Sequence, residues 1–375
     1  MSEPTVARGL EGVMASQSSL SFVGGQEGKL IYRGYDIHDL APSASFAESV
    51  FLLWYDHLPS RDELDSFEEG LRGVRALDPR TLEILRSLPT DTTPMAALRT
   101  AVSAEGTLDP DAEDNSPEAN LRKATRLVAR FPTIVAAYHR LREGADPIAP
   151  DPELGHSANF LYMISGEAPS QMAAEAVDRT LLLYLDHGFN ASTFTCRVIA
   201  ATLGDMHSAV TGGIGALKGS LHGGANAKAM DMLLEIDEVD NVAQFVEGAL
   251  ERKQKIMGFG HRVYRTEDPR ATHLREMSRT LSQELGDPKW YDISRLLEDE
   301  MKTRKGLNAN VDFYCATVYY ALGLPTDLYT PLFAMGRIGG WSAHVMEQHA
   351  DNRLIRPRAE YVGAKDRTFV PIDQR

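Results

Sequence analysis

Cysteine is scarce in this chain of 375 residues: there are only two, Cys196 and Cys315. Each falls in an apolar helical pattern, Phe194-Thr195-Cys196 and Phe313-Tyr314-Cys315. They read as buried free thiols, which leaves no disulfide framework and makes a reducing cytoplasm the default location. Long apolar runs are also missing. No stretch approaches the roughly 18 residues of a membrane span. The start, Met1 to Gly9, has no apolar core and one base, Arg8, so it does not read as a signal or transit peptide. Basic residues are outnumbered, 39 to 53, for a net charge of −14. That balance argues against non-specific binding to nucleic acid or to an anionic membrane surface. It also means that an anionic ligand would need a local cluster of arginines. Nucleotide and metal signatures are lacking too. Gly213-Ile-Gly-Ala-Leu-Lys218-Gly-Ser220 has the wrong order and spacing for a phosphate loop, and no GxGxxG follows a strand. The histidines form no HxxxH pair and the cysteines no CxxC pair, so no metal site is expected.

What is present is an ordinary core-forming composition, 43% hydrophobic and 25% charged, long enough for two or three domain-sized units. One hairpin is expected, with Leu20–Val23 and Lys29–Tyr32 flanking the turn Gly24–Gly28. Helical signals dominate thereafter. Ser45-Phe-Ala-Glu48 and Ser60-Arg-Asp-Glu63 are capping boxes, and Ser116-Pro117 places a cap before a proline at the first helical position. Ser170 opens a helical run through Leu185, and Ser192 opens another that stops near Gly204. About fifteen helices and no βαβ alternation predict an all-α fold with a small N-terminal β-hairpin. The acidic segment Asp109–Pro117 reads as an exposed loop.

Four short segments combine histidine or aspartate with glycine or a helix start: Asp186-His187-Gly-Phe-Asn190, Leu221-His222-Gly-Gly-Ala-Asn226, Gly258-Phe-Gly-His261-Arg-Val-Tyr264 and Asn310-Val-Asp312-Phe-Tyr314. Singly, each has a mundane explanation. Histidines beside glycines are often loop residues. Asp312, just before an apolar run, could simply cap a helix. An arginine is most often a solvated surface group.

Taken together and in this order, the segments resemble the citrate synthase family. The resemblance spans almost the whole chain, from Arg8-Gly-Leu-Glu-Gly12 through His156-Ser-Ala-Asn-Phe160 to Phe333-Ala-Met-Gly-Arg337 and Arg356-Pro357. It implies a large helical domain over 1–222 and 320–375 and a small helical domain over 223–319 that closes on the substrates. It implies the short, homodimeric type, with helices such as Glu175 to Leu185 and Ser192 to Ala201 near the interface. His222 matches the family histidine that hydrogen-bonds the thioester carbonyl of acetyl-CoA, Asp312 the base, and His261 the histidine that polarises the keto group of oxaloacetate. His187, Asn190, Arg270 and Arg337 match the oxaloacetate site, and Arg356 the arginine given across the dimer interface. Lys255, Arg262, Arg265 and Lys305 are candidate contacts for the phosphates of coenzyme A. Acetyl-CoA is then a co-substrate, and no separate cofactor or metal is implied.

The chemistry suits these residue types. A methyl beside a thioester is a very weak acid, so a carboxylate base works only if a placed donor meets the charge developing on oxygen. A helix starting after Gly224 would keep His222 neutral, and a partly dry site would raise Asp312. Paired donors of arginine fit each carboxylate of oxaloacetate. The sequence departs from the family's usual pattern at Ser220 and Ala309, where prolines are common, and at Gly188, where a glutamate is. Three other readings stay open: 2-methylcitrate synthase with propionyl-CoA, a non-catalytic helical scaffold, and a metal-dependent hydrolase.

Overall fold

The computed structural model describes residues 6–375. β1 (Ser21–Gly24) and β2 (Lys29–Tyr32) form the antiparallel hairpin, with Ser21 opposite Tyr32. A third strand, β3 (Tyr35–Asp36), extends it and was not read from the sequence. Its cause is the turn at Arg33 and Gly34, both at positive φ (44° and 90°), which folds two residues straight back onto β2.

Helices make up the rest. α1 (Ile37–Ser43), α2 (Phe46–Tyr55), α3 (Arg61–Gly73), α4 (Pro79–Ser87) and α5 (Pro94–Leu108) come first. Both expected capping boxes are present, with Ser45 and Ser60 each accepting from the backbone of the glutamate three residues on. The acidic segment that follows is pinned rather than loose. Asp109 and Asp111 bind Arg126, and the buried ammonium of Lys123 donates to Ala112 O and Asp114 O. Next are α6 (Pro117–Arg142), α7 (His156–Ser165), α8 (Gln171–Tyr184), α9 (Ala191–Ala200) and α10 (Met206–Lys218). The cap of α9 is Asn190, not Ser192: its Oδ1 accepts from Thr193 N at 3.1 Å. α11 (Ala225–Ile236), α12 (Val242–Glu251), α13 (Pro269–Glu284), α14 (Lys289–Lys305) and α15 (Val311–Ala321) pack mainly on one another, and α16 (Tyr329–Ala350) closes the series. The described residues thus hold sixteen α-helices, against the fifteen or so expected, and none is long and apolar enough to cross a membrane.

α16 is the spine. From Pro331 to Val345 it is buried throughout, against α2, α5, α6, α8, α9 and α10. Close approach needs a missing side chain at Gly340, where a Cβ would come within 2.1 Å of Leu185 O and 3.1 Å of Asp186 Oδ1. The backbone of 185–187 therefore lies directly on α16, three residues along from Arg337. We expect Gly340→Ala to lower stability by about 1–3 kcal/mol through overpacking, read as a fall in the thermal midpoint. An unchanged midpoint would mean that this contact does not constrain the helix.

Candidate active site

One carboxylate organises the cleft. Asp268 caps α13: its Oδ1 accepts from Arg270 N (3.1 Å) and Nε (2.9 Å), and its Oδ2 from Arg270 Nη2 (2.8 Å). The same Oδ2 accepts from Val311 N at 3.1 Å, so the N-termini of α13 and α15 share one anion. Asn310 caps α15, accepting from Asp312 N at 3.0 Å and donating to Gly260 O at 2.9 Å. Asp312 is therefore not the helix cap, and its carboxyl group is left for other use. Backbone bonds from Gly260 N to Asn308 O (3.0 Å) and from Asn310 N to Gly258 O (2.9 Å) join the His261 loop to the start of α15. They use the carbonyl of Asn308 and the N–H of Asn310, not the N–H of Ala309, so a proline at 309 would break neither bond. Gly258, at φ +81°, has Phe313 Cβ 2.8 Å from where its own Cβ would be. Its glycine is demanded by this packing on α15, whether or not the loop also meets a ligand.

Asp312 is partly exposed as a residue, but its carboxyl group lies inside the protein, with Tyr184 Oη 3.4 Å from its Oδ1. Burial raises its pKa to about 6, against the pull of Arg270. It is ionised at neutral pH and markedly more basic than a free aspartate. Tyr184 was not singled out in the sequence, because a tyrosine ending an apolar helix looks like core. It also stacks on Phe333 with centroids 4.0 Å apart, and Phe333 in turn faces His222 at 6.3 Å.

Both central histidines are neutral. His261 Nδ1 accepts two backbone N–H groups, from Val263 (3.0 Å) and Tyr264 (3.1 Å), so it is bare and the proton is on Nε2. Burial and then Arg270 lower its pKa to about 4. Burial and then Arg337 lower His222 to about 4 as well. The expected neutrality is thus present, but its main causes are desolvation and a buried arginine rather than the helix that begins at Ala225. His222 Nε2 is met from the protein side by Ser192 Oγ (2.8 Å), Ser192 N (3.3 Å) and Asn190 Oδ1 (3.2 Å), which leaves Nδ1 facing away from them. Ser192, expected to cap a helix, instead holds this imidazole and is itself held by Trp341 Nε1 at 3.2 Å.

His187 lies against His261, ring centroids 5.3 Å apart, with its Nε2 3.1 Å from Tyr264 Oη. Burial, then Arg270, depress its pKa well below the usual value. Asp186 beneath it is fully buried, bonded to Ser21 and to His344 Nε2 (3.1 Å). Arg337 is 1% exposed; Nε donates to Tyr184 O at 2.7 Å, and Nη1 is buried with no partner. Burial lowers its pKa to about 10, so it remains a cation. Asn190 uses its Nδ2 on Gly188 O and Thr193 Oγ1, so both ends of its amide are engaged by the protein. Arg356 is not brought into this cleft. It lies on the exposed tail after α16. Lys255, Arg262, Arg265 and Lys305 are exposed on segments beside His261 and α15.

A base and two neutral N–H donors of this kind suit removal of a proton next to a carbonyl, with arginines for an anionic substrate. That places the chain among acid–base enzymes built almost entirely on helices. Comparison with known proteins gives the family. The family model described as "Citrate synthase, C-terminal domain" matches residues 9–358. The chain is 52% identical to the citrate synthase of Haloferax volcanii over 373 residues, covering 98% of each chain. It is 43% identical to the 2-methylcitrate synthase of Shewanella oneidensis over 370 residues, covering 98% of this chain and 97% of the other. The ternary complex of the Thermoplasma acidophilum citrate synthase with carboxymethyl coenzyme A and oxaloacetate superposes with a TM-score of 0.92, at 33% identity, over 99% of this chain and 100% of that one. The chain belongs to the citrate synthase family and is an acyl-transferring enzyme of that type.

Raising a buried carboxylate's pKa has a sign. The folded state holds its proton to about pH 6, whereas the unfolded chain releases it near 3.9. The native state binds more protons between those values, so stability falls as pH rises from about 4 to about 6 and the cost persists above. Asp312→Asn should therefore raise stability at pH 7, by about 1–3 kcal/mol, with turnover lost. Denaturant melts at pH 7 and pH 4 test this. A variant less stable than wild type at pH 7 would show that the carboxylate is not held at a cost.

Proposed function

We propose that the chain condenses acetyl-CoA with oxaloacetate and water to give citrate and coenzyme A. The observation that carries this reading is the pairing of a burial-raised carboxylate, Asp312, with imidazoles that can each donate but not ionise at neutral pH. Asp312 takes a proton from the acetyl methyl. With Nε2 of His222 accepting from the backbone N–H of Ser192, the ring proton sits on Nδ1, which has no protein partner and meets the thioester oxygen. The enol so formed attacks the keto carbon of oxaloacetate, while Nε2–H of His261 donates to the keto oxygen. Water then cleaves the citryl thioester and releases the thiol of coenzyme A.

Oxaloacetate carries two carboxylates. Arg337 Nη1, buried without a partner, calls for one of them, since a charged donor left unpaired inside a protein is costly. Arg270 has Nη1 beyond the pair already given to Asp268, and His187 closes the same side. Asn190 fits a positioning role for His222 better than direct contact. Arg356 reaches a site from its exposed tail, in a homodimer, on the partner subunit. Residues 223–319 act as a small domain against 1–222 and 320–375, and closure excludes water from the enol. The exposed Lys255, Arg262, Arg265 and Lys305 line the side from which coenzyme A phosphates would approach. The two buried thiols fit a reducing cytoplasm. Propionyl-CoA is the alternative acyl donor, favoured by the likeness to a 2-methylcitrate synthase. One methylene changes selectivity by about 1–3 kcal/mol.

Thiol release with oxaloacetate, comparing the two acyl-CoAs with and without a chelator, tests the reading. Strong preference for acetyl-CoA and indifference to chelator are expected. Preference for propionyl-CoA would reassign the acyl donor with the same residues in place, and no release with either would overturn the proposal. The shared site has its own test. Arg356→Ala and Arg270→Ala chains should each be nearly inactive, and mixed heterodimers should regain part of the activity. Confirmed heterodimers without rescue would place Arg356 outside the partner's site.

A further inference from the structure

The segment His156-Ser-Ala-Asn-Phe160 has no part in the chemistry above. It forms the N-terminus of α7, where it walls a cavity of about 340 Å³ together with the end of α3, the α1–α2 junction and α8. That size lies at the lower end for small-molecule sites. We propose that this cavity is a second binding site, for a small oxyanion-bearing molecule, phosphate or carboxylate, held by Arg75, Arg179 and the first turn of α7.

Three independent features point there. Arg75 is 3% exposed, yet its guanidinium makes one protein hydrogen bond, Nη1 to Leu154 O at 2.7 Å, and its Nε is buried with no partner. His156 is 8% exposed, and its Nε2 is likewise buried without a partner. The N-cap of α7 is Gly155, which offers no side-chain acceptor, so the positive end of this helix faces the cavity uncapped. The neighbouring start of α2 is different, because the Ser45–Glu48 capping box satisfies it.

The wall also carries three carboxylates, and each is otherwise engaged. Asp178 accepts from Phe46 N and Ser157 Oγ, both at 2.8 Å. Glu68 pairs with Arg72 at 3.4 Å, and Glu175 accepts from Gln171 at 2.7 Å. None hydrogen-bonds Arg75. A buried guanidinium without a full set of acceptors is expensive unless a ligand supplies them. An oxyanion in the cavity would supply acceptors to the Arg75 guanidinium, which has only Leu154 O, and to the α7 amides at once. Exposed Gly155 and Glu175 leave the cavity open to solvent for entry.

The test is an equilibrium titration of the full chain, at low ionic strength, with orthophosphate and separately with malonate. It compares wild type with Arg179→Gln and Arg75→Gln. Binding to wild type is expected, weakened about tenfold or more in each variant. Arg179→Gln, a partly exposed position, should keep wild-type turnover in anion-free buffer. Arg75→Gln removes a buried group, so Arg179→Gln keeps the test decisive if that variant folds poorly. Binding of orthophosphate alone identifies a phosphate site, and of malonate alone a carboxylate site. Failure of both anions to bind, or affinity unchanged by Arg179→Gln, would overturn the proposal.

Discussion

Removal of water from the carboxyl group of Asp312 is the constraint on which the rest of the cleft depends. The same dryness acts on every titratable neighbour, with opposite sign for acids and bases. It raises Asp312 to about 6 and lowers His222 and His261 to about 4. An ionised base and two neutral donors therefore coexist from about pH 6 upward, and neutral pH lies inside that range. In water the three groups would overlap, and near pH 6 the histidines would be largely cationic. Neutral imidazoles matter because a cation beside Asp312 would pull its pKa down again and weaken it as a base.

Such a site is unstable on its own and must be imposed by its surroundings. The imposing element is the buried pair Asp268–Arg270. Its carboxylate binds the backbone at the start of both α13 and α15, and so fixes Arg270 and the turn that bears Asp312 in one unit. The Phe259–Ala309 bridge adds the His261 loop to that unit. On the opposite side, α16 carries Arg337 and Phe333, and Gly340 lets it lie against the backbone that leads to His187. Ser192, held by Trp341 of the same helix, orients His222. Two rigid assemblies thus present their groups to a common space.

Much of this was legible in the sequence, and the exceptions have physical causes. Helix starts with a serine and a glutamate three residues on were readable because the cap is a local interaction. The short third strand was not, since it depends on Arg33 adopting positive φ. The two histidines stood out by their glycine-rich context, and Asp312 by its place at a helix start. Tyr184, Trp341 and His344 did not, because each acts through a contact more than 100 residues away in the chain. The cap expected of Ser192 is made by Asn190 instead. Two polar residues near one helix start compete for the cap, and the winner is decided by His222, thirty residues on.

The most direct measurement is a titration of Asp312 itself, by carboxyl-carbon NMR of the chain labelled at aspartate, with Asp312→Asn identifying the resonance by its loss. An apparent pKa near 6 is predicted for the free enzyme, with His222 and His261 unprotonated down to about pH 4–5. An aspartate titrating at or below its ordinary value of about 3.9 would contradict the account that dryness makes the Asp312 carboxylate unusually basic.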